Sequence, residues 1–252
     1  MGKHSYRYPL PAVTVDIVIF TVSRRGDLDV LLIERRDDPF RSHAALPGGF
    51  VEVGEGYRED AAQGESLDAA AARELREETD LDVVRDNVFL EQLYTFGDPG
   101  RDPRGRAISV AYYALVGMDI APRVRAGDDS ARVYWVATSQ LPKLAFDHDK
   151  VLATAISRVR GKIDYDPRIV RALLPTEFTL NDFRRVHEIV KGRPQDSSNF
   201  SKRFRRMIED GRVEEVGAVA GMQDRGRPSA LYRFPILDPF SKREIHRFPE
   251  AS

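Results

Sequence analysis

Arg73-Glu74-Leu75-Arg76-Glu77-Glu78-Thr79-Asp80-Leu81 closes an Ala-rich helical run through Ala69 to Ala72, and its spacing decides the reading of the N-terminal half. On a helix, Glu74 stands one turn from both Glu77 and Glu78, and Arg73 reaches Glu77, so three carboxylates and a guanidinium share one surface. An oxygen-only set of this kind suits Mg²⁺ or Mn²⁺, hard cations that keep several waters and take one or two carboxylates together with substrate phosphates. A salt-bridged solvent face has the same composition. The segment upstream separates the two readings.

Leu46-Pro47-Gly48-Gly49-Phe50-Val51-Glu52 reads as a short apolar strand entered through a Gly pair, with Gly54-Glu55 at a turn. Together the two segments resemble the Nudix box, whose pattern is Gly, five residues, Glu, seven residues, then Arg-Glu-apolar-x-Glu-Glu-x-Gly-apolar. Gly49 and Glu55 fit its first half, while Glu65 lies seven residues before Arg73 and fits its second; no single frame fits both. The simplest account is an insertion of ten residues, Gly56 to Glu65. It keeps Glu55 as the box glutamate and starts the helix at Ser66, an N-cap residue. Asp80 stands where the family has Gly, a residue suited to the left-handed backbone at a helix end. The loop behind the carboxylates is therefore expected to be altered and hydrolysis to be lost. The resemblance implies Glu74, Glu77 and Glu78 as metal ligands, with Glu77 and Glu78 carrying the chemistry if the domain turns over.

The chain has 252 residues, 42% apolar and 31% charged, enough for a sizeable core and long for one small domain. The absence of cysteine excludes disulfides, Cys-ligated zinc and thiol catalysis. No run of 18 apolar residues and no charged-then-apolar leader occurs, which implies a cytoplasmic protein without a membrane partner. Net charge is −1, but it is unevenly spread: the first 175 residues are acidic by about four units and Thr176 to Ile236 is basic by about three.

In the acidic part, Val13 to Val22 and Asp29 to Glu34 read as strands around the turn Arg25-Gly26-Asp27. Val88 to Phe96, Ala107 to Val116 and Arg132 to Val136 read as further strands, and Asp149 to Gly161 as a helix. The order predicts an α/β/α sandwich with a mixed sheet. Arg35 and Arg36 at the end of the second strand and Arg106 before a later one are candidate phosphate or ribose contacts, because a planar guanidinium binds phosphate with two hydrogen bonds. With Gly48, Gly49 and Phe50 they form the candidate ligand-binding set. His148 is expected at a helix start rather than in the pocket.

From Asp166 the texture changes. Pro167 to Leu174, Leu180 to Val190 (capped by Thr179) and a third helix, capped by Asp196 or Ser197 and running to Glu209, are amphipathic. Strand-like Val213 to Val216 and Ser229 to Phe234 follow, which makes a winged helix-turn-helix. The third helix carries Phe200, Phe204, Met207 and Ile208 on one side. Ser198, Asn199, Lys202, Arg203, Arg205 and Arg206 are available for a major groove, where Arg and Lys read guanine and Asn reads adenine. The loop Asp224-Arg225-Gly226-Arg227-Pro228 offers Arg225 and Arg227 to phosphates or a narrow minor groove.

An α+β chain of this layout resembles the Nudix-related transcriptional regulators of NAD metabolism, the NrtR family. The resemblance rests most specifically on Gly105 to Tyr113, Leu144 to His148, Leu174 to Leu180 and Gly226 to Phe234. It implies a Nudix-like sensor over 10–162, a winged helix-turn-helix over 163–236 and a tail over 237–252. It also implies a homodimeric repressor of NAD biosynthesis or salvage genes that binds a palindromic double-stranded operator and answers to ADP-ribose, with Mg²⁺ at the carboxylates. Two other readings stay open on sequence: a sugar-catabolism regulator of the same architecture, and an active Mg²⁺-dependent ADP-ribose pyrophosphatase.

Overall fold

A computed structural model describes residues 10–53, 64–125, 132–219 and 229–235. The strands are β1 (Ala12–Val22), β2 (Leu28–Glu34), β3 (Ala44–Ala45), β4 (Gly48–Phe50), β5 (Phe89–Phe96), β6 (Ala107–Leu115) and β7 (Arg132–Ala137). They form one mixed sheet around β1, which runs parallel to β6 on one side. Its other edge is shared by β4, paired along Thr14–Asp16, and β2, paired along Phe20–Val22.

Helices α1 (Leu67–Thr79) and α2 (His148–Lys162) cover opposite faces of this sheet. The alternation along β1 explains why. Val15, Ile17 and Ile19 pack with Ala70, Ala71 and Leu75 of α1. Val18, Phe20 and Val22 face Val151, Leu152, Ala155 and Val159 of α2. A strand buried on both faces reads as a near-continuous apolar run, as Ile17 to Phe20 does.

The strand expected over Leu46–Glu52 is shortened to β4, Gly48–Phe50. Pro47 has no N–H to give, and its carbonyl instead accepts from Ile17 N at 2.8 Å. Gly48 has φ +150° and lies so close to β1 that a β-carbon would sit 2.2 Å from the Val15 carbonyl oxygen. Ser66 caps α1, its side chain accepting from Ala69 N at 3.1 Å, as expected from sequence.

The C-terminal part comprises α3 (Pro167–Leu173), α4 (Leu180–Lys191), α5 (Ser197–Glu209) and the hairpin β8 (Glu214–Val219) with β9 (Ser229–Arg233). Thr179 and Asp182 form a capping box at α4, and Gly192 ends the helix in the left-handed region. Backbone bonds exchanged by Phe178 and Tyr232 tie the hairpin to the segment before α4. The α2-side core passes without interruption from Val159 and Ile163 into Phe183, Val186, Val190 and Phe204. The tail and the wing tip with Arg225 and Arg227 lie outside the described residues.

Candidate functional site

The side chain that organises the Nudix-box helix is Arg73. Its Nε and Nη2 donate to Glu65 at 3.1 and 2.7 Å, its Nη1 to Glu74 and Glu77 at 2.9 and 2.8 Å, and its Nη2 also to the Phe50 carbonyl at 3.1 Å. The hydrogen bonds it donates to Glu65 hold the guanidinium's proton more tightly than usual. Glu65 therefore takes the place of the box glutamate opposite Arg73, whereas Glu55, expected there from sequence, lies outside the described residues. Glu65 N donates to Glu52 O at 3.1 Å and Glu52 N to the Glu65 carboxylate at 2.8 Å, so the chain leaves and re-enters at one place. Gly49, residues 50–53 and 64, Glu65, seven residues and Arg73 then follow the family pattern once 54–63 are set aside; those ten residues lie outside the described ones.

Asp80 also corrects an expectation. It adopts φ 57°, ψ 18°, the left-handed conformation for which the family uses Gly, and its N–H bonds to Arg76 O at 2.9 Å. Asp reaches this region more readily than most residues because its short polar side chain bonds locally. Arg85 further braces Asp80, donating to its carbonyl and lying 3.7 Å from its carboxylate. The turn behind the carboxylates thus has the left-handed backbone at Asp80 despite the loss of Gly.

Of the three expected metal ligands, Glu74 is buried against Gly49, where a β-carbon would meet its Oε1 at 2.3 Å. Burial raises its pKa despite Arg73. Glu77 is largely exposed, and Glu78 Oε2 accepts from Gly48 N at 2.9 Å. Glu74 and Glu77 are thus turned to Arg73 and Glu78 to the backbone, and among the described residues no three acidic or histidine side chains converge on a point a metal could occupy. The donors have the right chemistry for a hard cation, but they are arranged around a guanidinium.

Arg35, Phe50, Phe146 and Arg104 gather beside these carboxylates. The Arg35 guanidinium lies 4.8 Å from the Phe146 ring, and Arg104 lies 5.5 Å from Phe50 and 5.8 Å from Phe146. Phe50 is 52% exposed, an open aromatic face beside two cations. Burial, and then the charge of Arg104, lowers the Arg35 pKa, opposed by Asp102, to which Arg104 is bound at 2.7 Å, and by Asp37 and Glu78. Sequence reading missed Arg104 and Phe146, which lie in loops far from the box. Arg36 is exposed, and Arg106 is spent on the Gly97 carbonyl at 2.5 Å, closing the 97–106 loop rather than joining the cluster.

Asp147 and His148, next to Phe146, belong to a buried polar network. Arg101, 6% exposed at its side chain, bridges Asp147 at 2.8 Å and Asp16 at 3.1 Å, and Ser109 donates to Asp16 at 2.5 Å. Burial raises the Asp16 pKa, but His148, Ser109 and Arg101 outweigh it and hold the carboxyl below its ordinary range. His148 is the first residue of α2, as expected, yet it is buried. Its Nδ1 accepts from Leu46 N at 2.9 Å, which leaves the proton on Nε2, 3.5 Å from Asp16.

In the winged helix, Phe200, Phe204 and Met207 of α5 are buried, and Ser198, Asn199, Lys202, Arg205 and Arg206 are exposed on the other side. Arg203 departs from this set: its Nη2 donates to the Asp164 carbonyl at 2.8 Å, and its Nη1 lies 3.5 Å from the Asp164 carboxylate. Below α5, His187 is wholly buried. Its Nδ1 donates to Phe183 O at 2.9 Å, and its Nε2 has no hydrogen-bond partner among the described residues. Burial lowers its pKa to about 4.

A sheet clasped by the box helix and α2, continued into a helix-turn-helix with a hairpin, defines a Nudix domain fused to a winged-helix domain. The chain belongs to the Nudix family: the NUDIX domain model matches residues 10–155, and the NrtR DNA-binding winged helix domain model matches residues 170–234. It is 37% identical over 235 residues, 92% of this chain and 85% of the relative, to the ADPR responsive transcriptional repressor NtrR of Acinetobacter baylyi. An ADP-ribose pyrophosphatase of Methanocaldococcus jannaschii is 38% identical over 145 residues, 58% of this chain and 73% of the relative. The crystal structure of Shewanella oneidensis NrtR complexed with a 27mer DNA superposes with a TM-score of 0.66 at 31% identity, covering 88% of this chain and 93% of that one.

Proposed function

We propose that this protein is a homodimeric transcriptional repressor whose Nudix domain, about 10–162, senses ADP-ribose and whose winged helix, about 163–236, binds a palindromic operator of NAD biosynthesis or salvage genes. The observation that carries the reading is the division of α5. Its apolar face belongs to the core that continues from the Nudix domain, while Ser198, Asn199, Lys202, Arg205 and Arg206 are exposed and available to base edges and phosphates. Full-length similarity to an ADPR responsive repressor supports the effector. The Arg35–Arg104 pair over Phe146 and Phe50 supports a ligand with a diphosphate and a flat ring. Gly48 and Gly49 precede Phe50 on β4, and Arg36 follows Arg35 in the chain. Mg²⁺ would enter through Glu74, Glu77 and Glu78, each of which already accepts from Arg73 or Gly48 N with one carboxylate oxygen. No helix among the described residues is long and apolar enough to cross a membrane, in keeping with a cytoplasmic site of action.

A second reading has its own support. The Glu65–Arg73 pair and the left-handed Asp80 keep the box intact, and a relative over the Nudix part is an ADP-ribose pyrophosphatase. Release of AMP and ribose phosphate from ADP-ribose with Mg²⁺, abolished in Glu77→Gln, would establish that reading.

The deciding experiment is fluorescence anisotropy of a labelled palindromic duplex from upstream of NAD-biosynthesis genes, with and without ADP-ribose and Mg²⁺. Competitor-resistant binding that ADP-ribose changes is the expected result. Binding that answers instead to a sugar would move the protein to sugar catabolism, and absence of specific binding would overturn the repressor.

A further inference from the structure

We propose that Asp164 is the residue through which the Nudix domain positions the recognition helix, and that α2 carries the state of the effector cleft to it. The inference rests on the repressor reading above and adds the route and residue of coupling.

Helix α2 touches the cleft at one end and the helix-turn-helix at the other. Its 15 residues span about 22 Å at 1.5 Å per residue. At the near end Asp147 is bound to Arg101 at 2.8 and 3.2 Å, His148 accepts from Leu46 N, two residues before Gly48, and Phe146 carries the Arg35 guanidinium on its ring. A ligand that draws Arg35 or moves the Gly48 segment therefore acts on atoms already bonded to the start of α2.

Along its length Val151, Leu152, Ala155 and Val159 are all but inaccessible to solvent. Close-packed interiors transmit displacement rather than absorb it, so the helix moves as a rod.

Past the far end stands Asp164. Its carboxylate binds Lys191 of α4 and lies 3.5 Å from Arg203 of α5, and its carbonyl takes a second bond from Arg203. One residue thus grips both helices of the helix-turn-helix. Arg160 adds a bond to the Val190 carbonyl at 3.1 Å, at the end of α4. The Asp164 and Arg203 side chains are 44% and 42% exposed, so the pair opens and closes without the large desolvation cost of a buried ion pair. That is the energetic range a switch needs. It also accounts for Arg203, the cation of α5 turned away from the exposed face.

The test compares wild type, Asp164→Asn, Arg203→Gln, the double variant and Asp164→Glu by operator anisotropy with and without saturating ADP-ribose. Calorimetry gives the ADP-ribose affinity of each free protein. In wild type the ratio of operator affinities is expected at about 5-fold or more, within the usual allosteric range. In Asp164→Asn and Arg203→Gln it falls to about 2-fold or less, the double variant is no worse than either single, and Asp164→Glu retains part of the response. Ligand affinity without operator stays within about 2-fold. An unchanged ratio in Asp164→Asn overturns the proposal, as does an Arg203→Gln variant that loses operator affinity while keeping its full response. A wild type whose operator binding ignores ADP-ribose overturns the regulatory reading itself, a different result from retained coupling.

Discussion

The Glu65 carboxylate takes two hydrogen bonds from the Arg73 guanidinium, at 3.1 and 2.7 Å, across eight residues of chain. This fork-to-fork pair joins the loop before α1 to the helix, and the same guanidinium holds Glu74, Glu77 and the Phe50 carbonyl. Arg73→Lys keeps the charge but not the planar fork. With the Arg73 side chain 17% exposed, the expected loss is about 1–3 kcal/mol of stability, discounted from the fully buried case. Chemical denaturation measures it. Glu65→Gln should lose a similar amount and Glu55→Gln almost none; the reverse order would return the box glutamate to Glu55.

Deleting residues 54–63 restores Gly-x5-Glu-x7-Arg without touching any bond described for Glu52, Glu65 or Arg73. Loop-closure entropy changes only slowly with length. The shortened protein is expected to melt within a few degrees of wild type and to keep its ADP-ribose affinity. A collapse in either, read by scanning calorimetry and titration, would show that the insertion is part of the fold or the site.

Gly48 and Gly49 differ in what a methyl group would meet. At Gly49 it strikes the Glu74 carboxylate, a side-chain end that can turn aside at the cost of its bond to Arg73. At Gly48 it strikes the Val15 carbonyl and Asp16 Cα, which are backbone. Gly49→Ala is expected to cost about 1–3 kcal/mol, as other overpacked sites do, and Gly48→Ala more. Equal melting temperatures for the two variants would contradict this geometry.

His187 makes the winged helix acid-sensitive. The folded protein keeps the ring neutral down to about pH 4, whereas the unfolded chain protonates near 6.5. Between these values the unfolded state binds more protons, so stability is lost as pH falls from about 6.5 towards 4, by about 3 kcal/mol in all. His187→Phe suits a site lined by Phe183 and Phe200. It is expected to flatten the stability profile in that window; parallel profiles for the two proteins would remove His187 as the cause.

On α5, Lys202→Ala and Arg205→Ala should each weaken operator binding and make log K against log salt shallower by about 0.9, the effect of one phosphate contact. Salt titrations of operator affinity measure it. A slope unchanged in both would place the DNA on another face.

Much of this protein is decided locally and was legible in the sequence. The caps at Ser66, Thr179 and Asp196 each bond the backbone donor three residues on, and the apolar run of β1 and the stripes of α4 and α5 state what is buried. Spacing also fixed that Arg73 would reach Glu77. Which glutamate would complete the box was not legible, because Glu55 and Glu65 each fit half the pattern and only the meeting of Glu52 with Glu65 chooses between them. Arg101 finds Asp16 at a separation of 85 residues and Asp147 at 46, and Arg104 meets Phe146 from another loop; no short-range periodicity encodes such pairs. Arg203 looked like its neighbours in composition and was turned aside by Asp164, 39 residues earlier. Backbone bonding and side-chain polarity act over a few residues and set the elements. The partners of buried and half-buried charges depend on how those elements pack, and the tertiary structure alone supplies that.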